Sequence, residues 1–304
     1  MTRSSIIALV AIGGALSACN AQSDVQGEET DVPSRVSQTA AVRYSGFSEP
    51  ERVLYDAARD RYLVSNVNGE TAAKDGNGFI SVLSPDGSIS ALEWIKGGEA
   101  GVTLHAPKGL AIADGVLYVA DIDVVRKFDA ETGKALGQID VPGSTFLNGL
   151  TAAGDGRLYL SDSGPPLGFL DGYGTEAVYV IDGDEVQLLA EGPLGRPTSL
   201  QPTKGGVIVA SFGANEVFEI DGQGNKGKVS QLPAGGLAGI VKHGPWLYAT
   251  SWQASAIFRG KLGEPFEVAA SGLAAPSDLG YDSKRGRLLV PHFTENTVDV
   301  LELQ

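Results

Sequence analysis

The 304-residue chain carries 37 acidic against 23 basic side chains, a net charge of -14, so its field repels phosphate backbones and argues against nucleic acid as a partner. Its 41 glycines and 15 prolines are spread along the whole length, the composition of many tight turns between short strands rather than of long helices. A single cysteine, Cys19, precludes an intrachain disulfide and needs its own explanation.

The N-terminus supplies that explanation. Arg3 gives a positive start, Ile6 to Leu16 is an apolar run interrupted by Gly13 and Gly14, and Leu16-Ser17-Ala18-Cys19 closes it. The run is too short to span a bilayer as a helix and reads as an export signal over residues 1–18. Leu-Ser-Ala-Cys matches the bacterial lipobox, in which the thiol receives a diacylglyceryl group, the peptide is cut before it and the new amine is acylated. Several acyl chains on one residue anchor stably where one chain does not, so the lipid bilayer is an expected partner through Cys19. Asn20 follows, not the Asp of inner-membrane retention, which points to the outer membrane, periplasmic side. From Asn20 to about Gln38 the chain is polar, acidic and aperiodic, the pattern of a disordered tether, giving a lipidated segment over residues 19–40.

The remaining chain, residues 41–304, is about the size of one all-β domain. Six like segments recur in it at a period of about 40 to 55 residues: Tyr62-Leu63-Val64-Ser65-Asn66, Leu117-Tyr118-Val119-Ala120-Asp121, Leu158-Tyr159-Leu160-Ser161-Asp162, Val207-Ile208-Val209-Ala210-Ser211, Leu247-Tyr248-Ala249-Thr250-Ser251 and Leu288-Leu289-Val290-Pro291-His292. Each follows a turn and, before it, an apolar strand opening with a pair such as Pro50-Glu51, Pro107-Lys108, Leu147-Asn148, Pro197-Thr198, Leu237-Ala238 or Pro276-Ser277. Strands such as Glu216 to Ile220 follow, so the unit is a four-stranded antiparallel meander and the fold an all-β six-bladed propeller. Val42 to Glu51 aligns without a gap on Val268 to Ser277, so residues near Ala41 to Ser45 are expected to supply the outer strand of the last blade and close the ring.

In such a meander, the loop entering the first strand and the loop between strands two and three share one face. Two rings of residues are therefore expected to converge there. The inner ring is Glu51, Lys108, Asn148, Thr198, Ala238 and Ser277, with Asp278 beside it. The second is Asn66, Asp121, Asp162, Ser211, Ser251 and His292, with Asn68, Asp123 and Trp252 nearby. Glu51, Asn148 and the aspartates are hard oxygen donors suited to a divalent cation, Ca²⁺ above all. The competing readings are that Asp or Asn after a strand caps a turn, and that Glu51 pairs with Lys108. His105 and His243 read as satisfied histidines away from any site, Asp75-Gly76-Asn77-Gly78 as an ordinary turn, and Ser161 to Gly164 lacks the elbow of a serine hydrolase.

Pro50-Glu51-Arg52-Val53-Leu54-Tyr55-Asp56 with Tyr62 to Asn66, and Leu147-Asn148-Gly149-Leu150 with Gly156 to Asp162, resemble the senescence marker protein, gluconolactonase and luciferin-regenerating enzyme family of six-bladed propellers. The resemblance runs from about Ala41 to Gln304, through blade motifs that NHL-repeat propellers share. It implies a divalent metal held by Glu51, Asn148 and the residue at position 198, and hydrolysis of lactones. Where the family has Asp this chain has Thr198, and where it has a substrate-contacting Asn this chain has Lys108. Asp278 or Asp121 would then have to supply the missing carboxylate, with Lys108 or His292 contacting substrate. Two functions stay open: a membrane-anchored, metal-dependent hydrolase of lactones or related esters, and a non-catalytic propeller whose top face binds a small ligand, glycan or protein. The expected partners besides the bilayer are a small-molecule substrate or periplasmic ligand, with the chain a monomer.

Overall fold

A computed structural model describes residues 35–165 and 175–304, and Cys19, the expected export signal and most of the expected tether lie outside the described residues. The described chain forms six four-stranded antiparallel sheets, with no helix among them. Blade one is built from Pro50–Asp56, Arg61–Asn66, Phe79–Leu83 and Ile89–Lys96, paired in chain order from the channel outward. Blades two to five repeat this over residues 107–140, 147–191, 197–231 and 237–271. Blade six has Gly280–Asp282, Arg287–His292 and Thr297–Glu302, and its outer strand is Val42–Ser45, paired antiparallel with Thr297–Glu302. The ring closes as the internal alignment predicts, and the closure removes the free edge that each end would otherwise present.

The chain joins the ring earlier than its composition suggests. Val36 bridges Leu303 and is buried, Arg35 and Gln304 exchange backbone hydrogen bonds, and Ser37 N–H donates to the Glu302 carbonyl. The ring therefore takes in residues from Arg35 onward, short of the boundary near residue 40 expected from composition, because Val36 has an apolar slot beside Tyr248, Leu288 and Leu301 that polarity counting cannot see.

Second strands alternate little and are buried on both faces, as in Arg61–Asn66 and Gly206–Ser211, third strands such as Glu216–Asp221 are partly buried, and the fourth strands, such as Lys226–Gln231, are mostly exposed. That gradient is what stacking blades face to face requires: the inner strands fill inter-blade layers such as Leu63, Ile80, Leu110, Leu117 and Phe128 between blades one and two.

The first strand of blades one to five carries a register shift, between Pro50 and Val53, Pro107 and Leu110, Leu147 and Leu150, Pro197 and Ser199, and Leu237 and Ile240. A bulge re-aims the residue it contains. Here it falls on Glu51, Lys108, Asn148, Thr198 and Ala238, the inner ring of the sequence pattern. Glycine follows three of these where neighbouring blades touch backbone to backbone: a Cβ on Gly149 would overlap the Thr198 carbonyl, one on Gly109 the Asn148 carbonyl, and one on Gly239 the Leu279 backbone nitrogen.

Candidate functional site

Five of the six inner-ring residues, Glu51, Lys108, Asn148, Thr198 and Ala238, line one cavity of about 310 Å³ at the channel mouth. Val67, Ser163, Phe212, Trp252 and Phe293, each the residue after a second strand, form its wall together with Thr71, Phe146 and Arg196. The sixth, Ser277, is buried and donates to Glu51 Oε2 at 2.6 Å.

Glu51 is half-buried, and its carboxyl opens on this cavity rather than on the outer surface. Burial raises its pKa to about 7; the Ser277 hydroxyl opposes the shift, the charge of Asp278 adds to it and Lys108 opposes it. Burial likewise lowers the Lys108 ammonium, to about 8, against the attraction of Glu51 and Asp121. Both groups are thus poised to change charge near neutrality. Their carboxylate and ammonium do not form a close ion pair: Lys108 Nζ instead donates to the carbonyls of Thr71 at 2.7 Å and Ala106 at 3.0 Å, and lies 4.4 Å from the centre of the Phe146 ring. The Asn148 amide also faces the cavity, and no other described residue engages it.

The second ring takes the capping reading rather than the catalytic one. Asp121 is fully buried; its Oδ1 accepts from the backbone N–H of His105 and Ala106, and its Oδ2 pairs with Arg126 at 3.0 Å. Asp162 accepts from the backbone of Thr145, Phe146 and Gly164. Asn66 accepts from Ser48 N–H, and Ser211 and Ser251 donate to the Gly195 and Gly235 carbonyls. His292, buried, lies between Asp299 at 3.1 Å and the Ala274 carbonyl at 3.3 Å. Each of these six ties down the loop that enters its own blade's first strand, and none lines the cavity. Asp121 and His292 therefore do not stand where a base or substrate contact would.

Asp278 is also displaced from its expected role. The residue after Ser277, just ahead of the strand Gly280–Asp282, it is buried and bonded to Arg52 Nη1 at 2.6 Å and Ser199 Oγ at 2.7 Å. Its backbone N–H donates to the Glu51 carbonyl at 2.8 Å, and its carboxylate acts on the Glu51 carboxyl through charge. His105 accepts from Gly76 N–H and His243 bonds Tyr281, so the remaining histidines are satisfied as the sequence suggests; in the Asp75 segment the Asn77 amide nitrogen donates to Asp75, while its Oδ1 is buried without a partner among the described residues.

A hard divalent cation does not fit these donors. Of the three positions the resemblance implies, the Thr198 hydroxyl faces the Ala210 and Leu237 carbonyls at 3.1 and 2.6 Å, and one Glu51 oxygen already accepts from Ser277. An ammonium, Lys108, shares the cavity. Among the described residues no three His, Cys, Asp or Glu side chains converge as a metal centre, whereas Ca²⁺ takes roughly six to eight oxygens.

Sequence reasoning placed Trp252 beside the second ring but missed Phe212 and Phe293. All three occupy the same repeat position, directly after Ser211, Ser251 and His292, and reading one residue past every repeat segment would have found the other two.

No family model matches the chain, and no curated protein matches it. Solved structures do. A gluconolactonase of Xanthomonas campestris is 18% identical over 90% of this chain and 97% of its own, with a TM-score of 0.64. A virginiamycin B lyase from Staphylococcus aureus is 14% identical over 86% of this chain and 98% of its own, TM-score 0.61. A chain of a nidogen/laminin complex is 17% identical over 70% of this chain and 76% of its own, TM-score 0.55. At such identities the likeness establishes the propeller fold, which a gluconolactonase, a lyase and a chain of a nidogen/laminin complex share.

Proposed function

We propose that this chain is an exported, lipid-anchored hydrolase of small lactones or related esters, acting in the channel-mouth cavity without a bound metal. The observation that carries the reading is the convergence of Glu51, Lys108 and Asn148, from three successive blades, in one cavity where Glu51 titrates near neutrality. Glu51 as carboxylate takes a proton from water, whose oxygen attacks the ester carbonyl. Asn148 and Lys108 donate hydrogen bonds to the carbonyl oxygen as it gains charge. The acyl C–O bond then breaks, Glu51 returns the proton to the leaving oxygen, and a hydroxy acid departs. The likeness to a gluconolactonase fold is compatible with this chemistry and supports it only as analogy.

The test is hydrolysis of a lactone and ester panel, followed by proton release, with and without EDTA, by the parent and by Glu51→Gln. Turnover that survives EDTA and vanishes in Glu51→Gln is the expected result. Loss of turnover in EDTA would restore the metal-dependent reading, and no turnover of any ester would sink hydrolysis.

A second reading, a non-catalytic propeller holding a small periplasmic ligand, is favoured by one observation. Lys108 commits two of its three donors to backbone carbonyls, which makes it a fixed charge better suited to holding a ligand than to relaying protons.

A further inference from the structure

The cavity differs between its two halves. Blades one to three bring Glu51, Lys108 and Asn148 to it. Blades four and five bring Thr198, whose hydroxyl is turned to carbonyls, Ala238, and Arg196, whose Nη2 donates to the Pro165 carbonyl at 2.7 Å, while blade six turns Ser277 to Glu51. Over this second half stand three aromatic side chains in sequence around the ring. Phe212 and Trp252 have centroids 5.9 Å apart at 73°, and Trp252 and Phe293 5.4 Å apart at 46°. The arc is continuous and consists of one residue from each of blades four, five and six.

We propose that the substrate is a small lactone or ester with two unlike ends: a flat apolar ring that lies against Phe212, Trp252 and Phe293, and an acyl group that meets Glu51, Lys108 and Asn148. The acyl end rests on the hydrolytic reading above; the ring end does not. An apolar ring against the arc buries surface with offset or edge geometry available to it. A polyhydroxylated sugar lactone fares worse. Its hydroxyls over the three rings lose water and meet carbon there, and each one left unpaired weakens binding roughly tenfold. The volume of about 310 Å³ suits a molecule of one aromatic ring fused or joined to one lactone, at the lower end of ligand sites.

Tryptophan fluorescence reads this directly, because Trp252 lines the cavity. The full-length chain is titrated with γ-phenyl-γ-butyrolactone, with unsubstituted γ-butyrolactone and with glucono-δ-lactone. The phenyl lactone is expected to change the emission and to bind at least tenfold more tightly than either of the others. Trp252→Phe is expected to lose the signal while retaining the affinity by calorimetry, and Phe293→Leu and Phe212→Leu each to weaken phenyl-lactone binding about fivefold or more without lowering Tm by more than a few degrees. Equal or tighter binding of glucono-δ-lactone, or no gain from the phenyl group, overturns the proposal. Phenyl lactone that binds tightly to both the parent and Glu51→Gln yet is hydrolysed by neither leaves the ring site standing and removes the hydrolytic reading.

Discussion

The Arg52 guanidinium bonds Asp278 Oδ1 at 2.6 Å between the adjacent blades one and six, one residue along the chain from Glu51 and Ser277. The same Nη1 reaches the Leu279 carbonyl at 3.0 Å, and Ser199 donates to the same Asp278 oxygen at 2.7 Å. Blades one, four and six are thus tied together beneath the cavity. All three side chains are buried, so the pair forms in a dry setting and the cavity has a polar, charged layer under it.

Removing one partner of such a pair leaves an uncompensated charge. Arg52→Met is expected to cost about 3–5 kcal/mol in denaturant unfolding, and Arg52→Met with Asp278→Leu to recover much of it. Burial already raises the Asp278 pKa, opposed by Arg52 and Ser199. A carboxyl with a raised folded-state pKa contributes stability at low pH and loses it as pH rises, so Arg52→Met should be weakest at alkaline pH. A deficit independent of pH would show that the lost packing of the side chain outweighs the charge.

Glu51 gives a second pH signature, with the same sign. Its folded value of about 7 lies above the ordinary 4.5. Its contribution is present in full below about 4.5 and is lost as pH rises through about 7. Glu51→Gln should therefore match the parent at pH 4 and exceed it at pH 8 by roughly 1–3 kcal/mol. Unfolding curves at the two pH values decide it.

For turnover, Glu51 acts ionised and Lys108 charged. With Glu51 raised to about 7 and Lys108 lowered to about 8, kcat/KM is expected to follow a narrow bell with its maximum between them. Lys108→Met should remove the alkaline limb. A profile flat from pH 6 to 9 would remove both residues from the chemistry.

Metal addition separates this chain from its resemblance. A ligand bound to the folded state alone, at 100 times its dissociation constant, stabilises by about 2.7 kcal/mol. Ca²⁺, Mg²⁺, Mn²⁺ and Zn²⁺ are each expected to leave the Tm of the parent unchanged, whereas Thr198→Asp with Lys108→Asn should gain a Ca²⁺-dependent rise. A rise in the parent that Asn148→Ala abolishes would reinstate the inherited metal site.

The second ring is expected to carry stability rather than activity. Asp121→Ala strips the acceptor from two backbone donors and from Arg126, a loss of about 2–3 kcal/mol, with kcat/KM per folded molecule unchanged. A fall in kcat/KM with intact stability would return Asp121 to the site.

Sequence alone determined a good deal of this protein. Six like segments, the pairs that open each first strand and the match of residues 42–51 to residues 268–277 specified six blades, their strand order and the closing strand, because an apolar repeat that cannot bury its faces alone must stack on its neighbours. The same repeat placed Glu51, Lys108, Asn148 and Thr198 on one rim, since equivalent positions in a ring of blades point to one axis. What only the tertiary structure decided is where polar atoms turn next. Asp121, Asp162 and His292 occupy repeat positions as regular as Glu51, yet they bond the backbone of incoming loops while Glu51 faces the cavity. Spacing fixes the direction of a strand residue to within a face; it does not say whether a nearby N–H will claim a carboxylate first. The turned hydroxyl of Thr198, the bonding of Lys108 to carbonyls and the contact of Trp252 with both Phe212 and Phe293 likewise depend on neighbours from other blades, dozens of residues away in the chain.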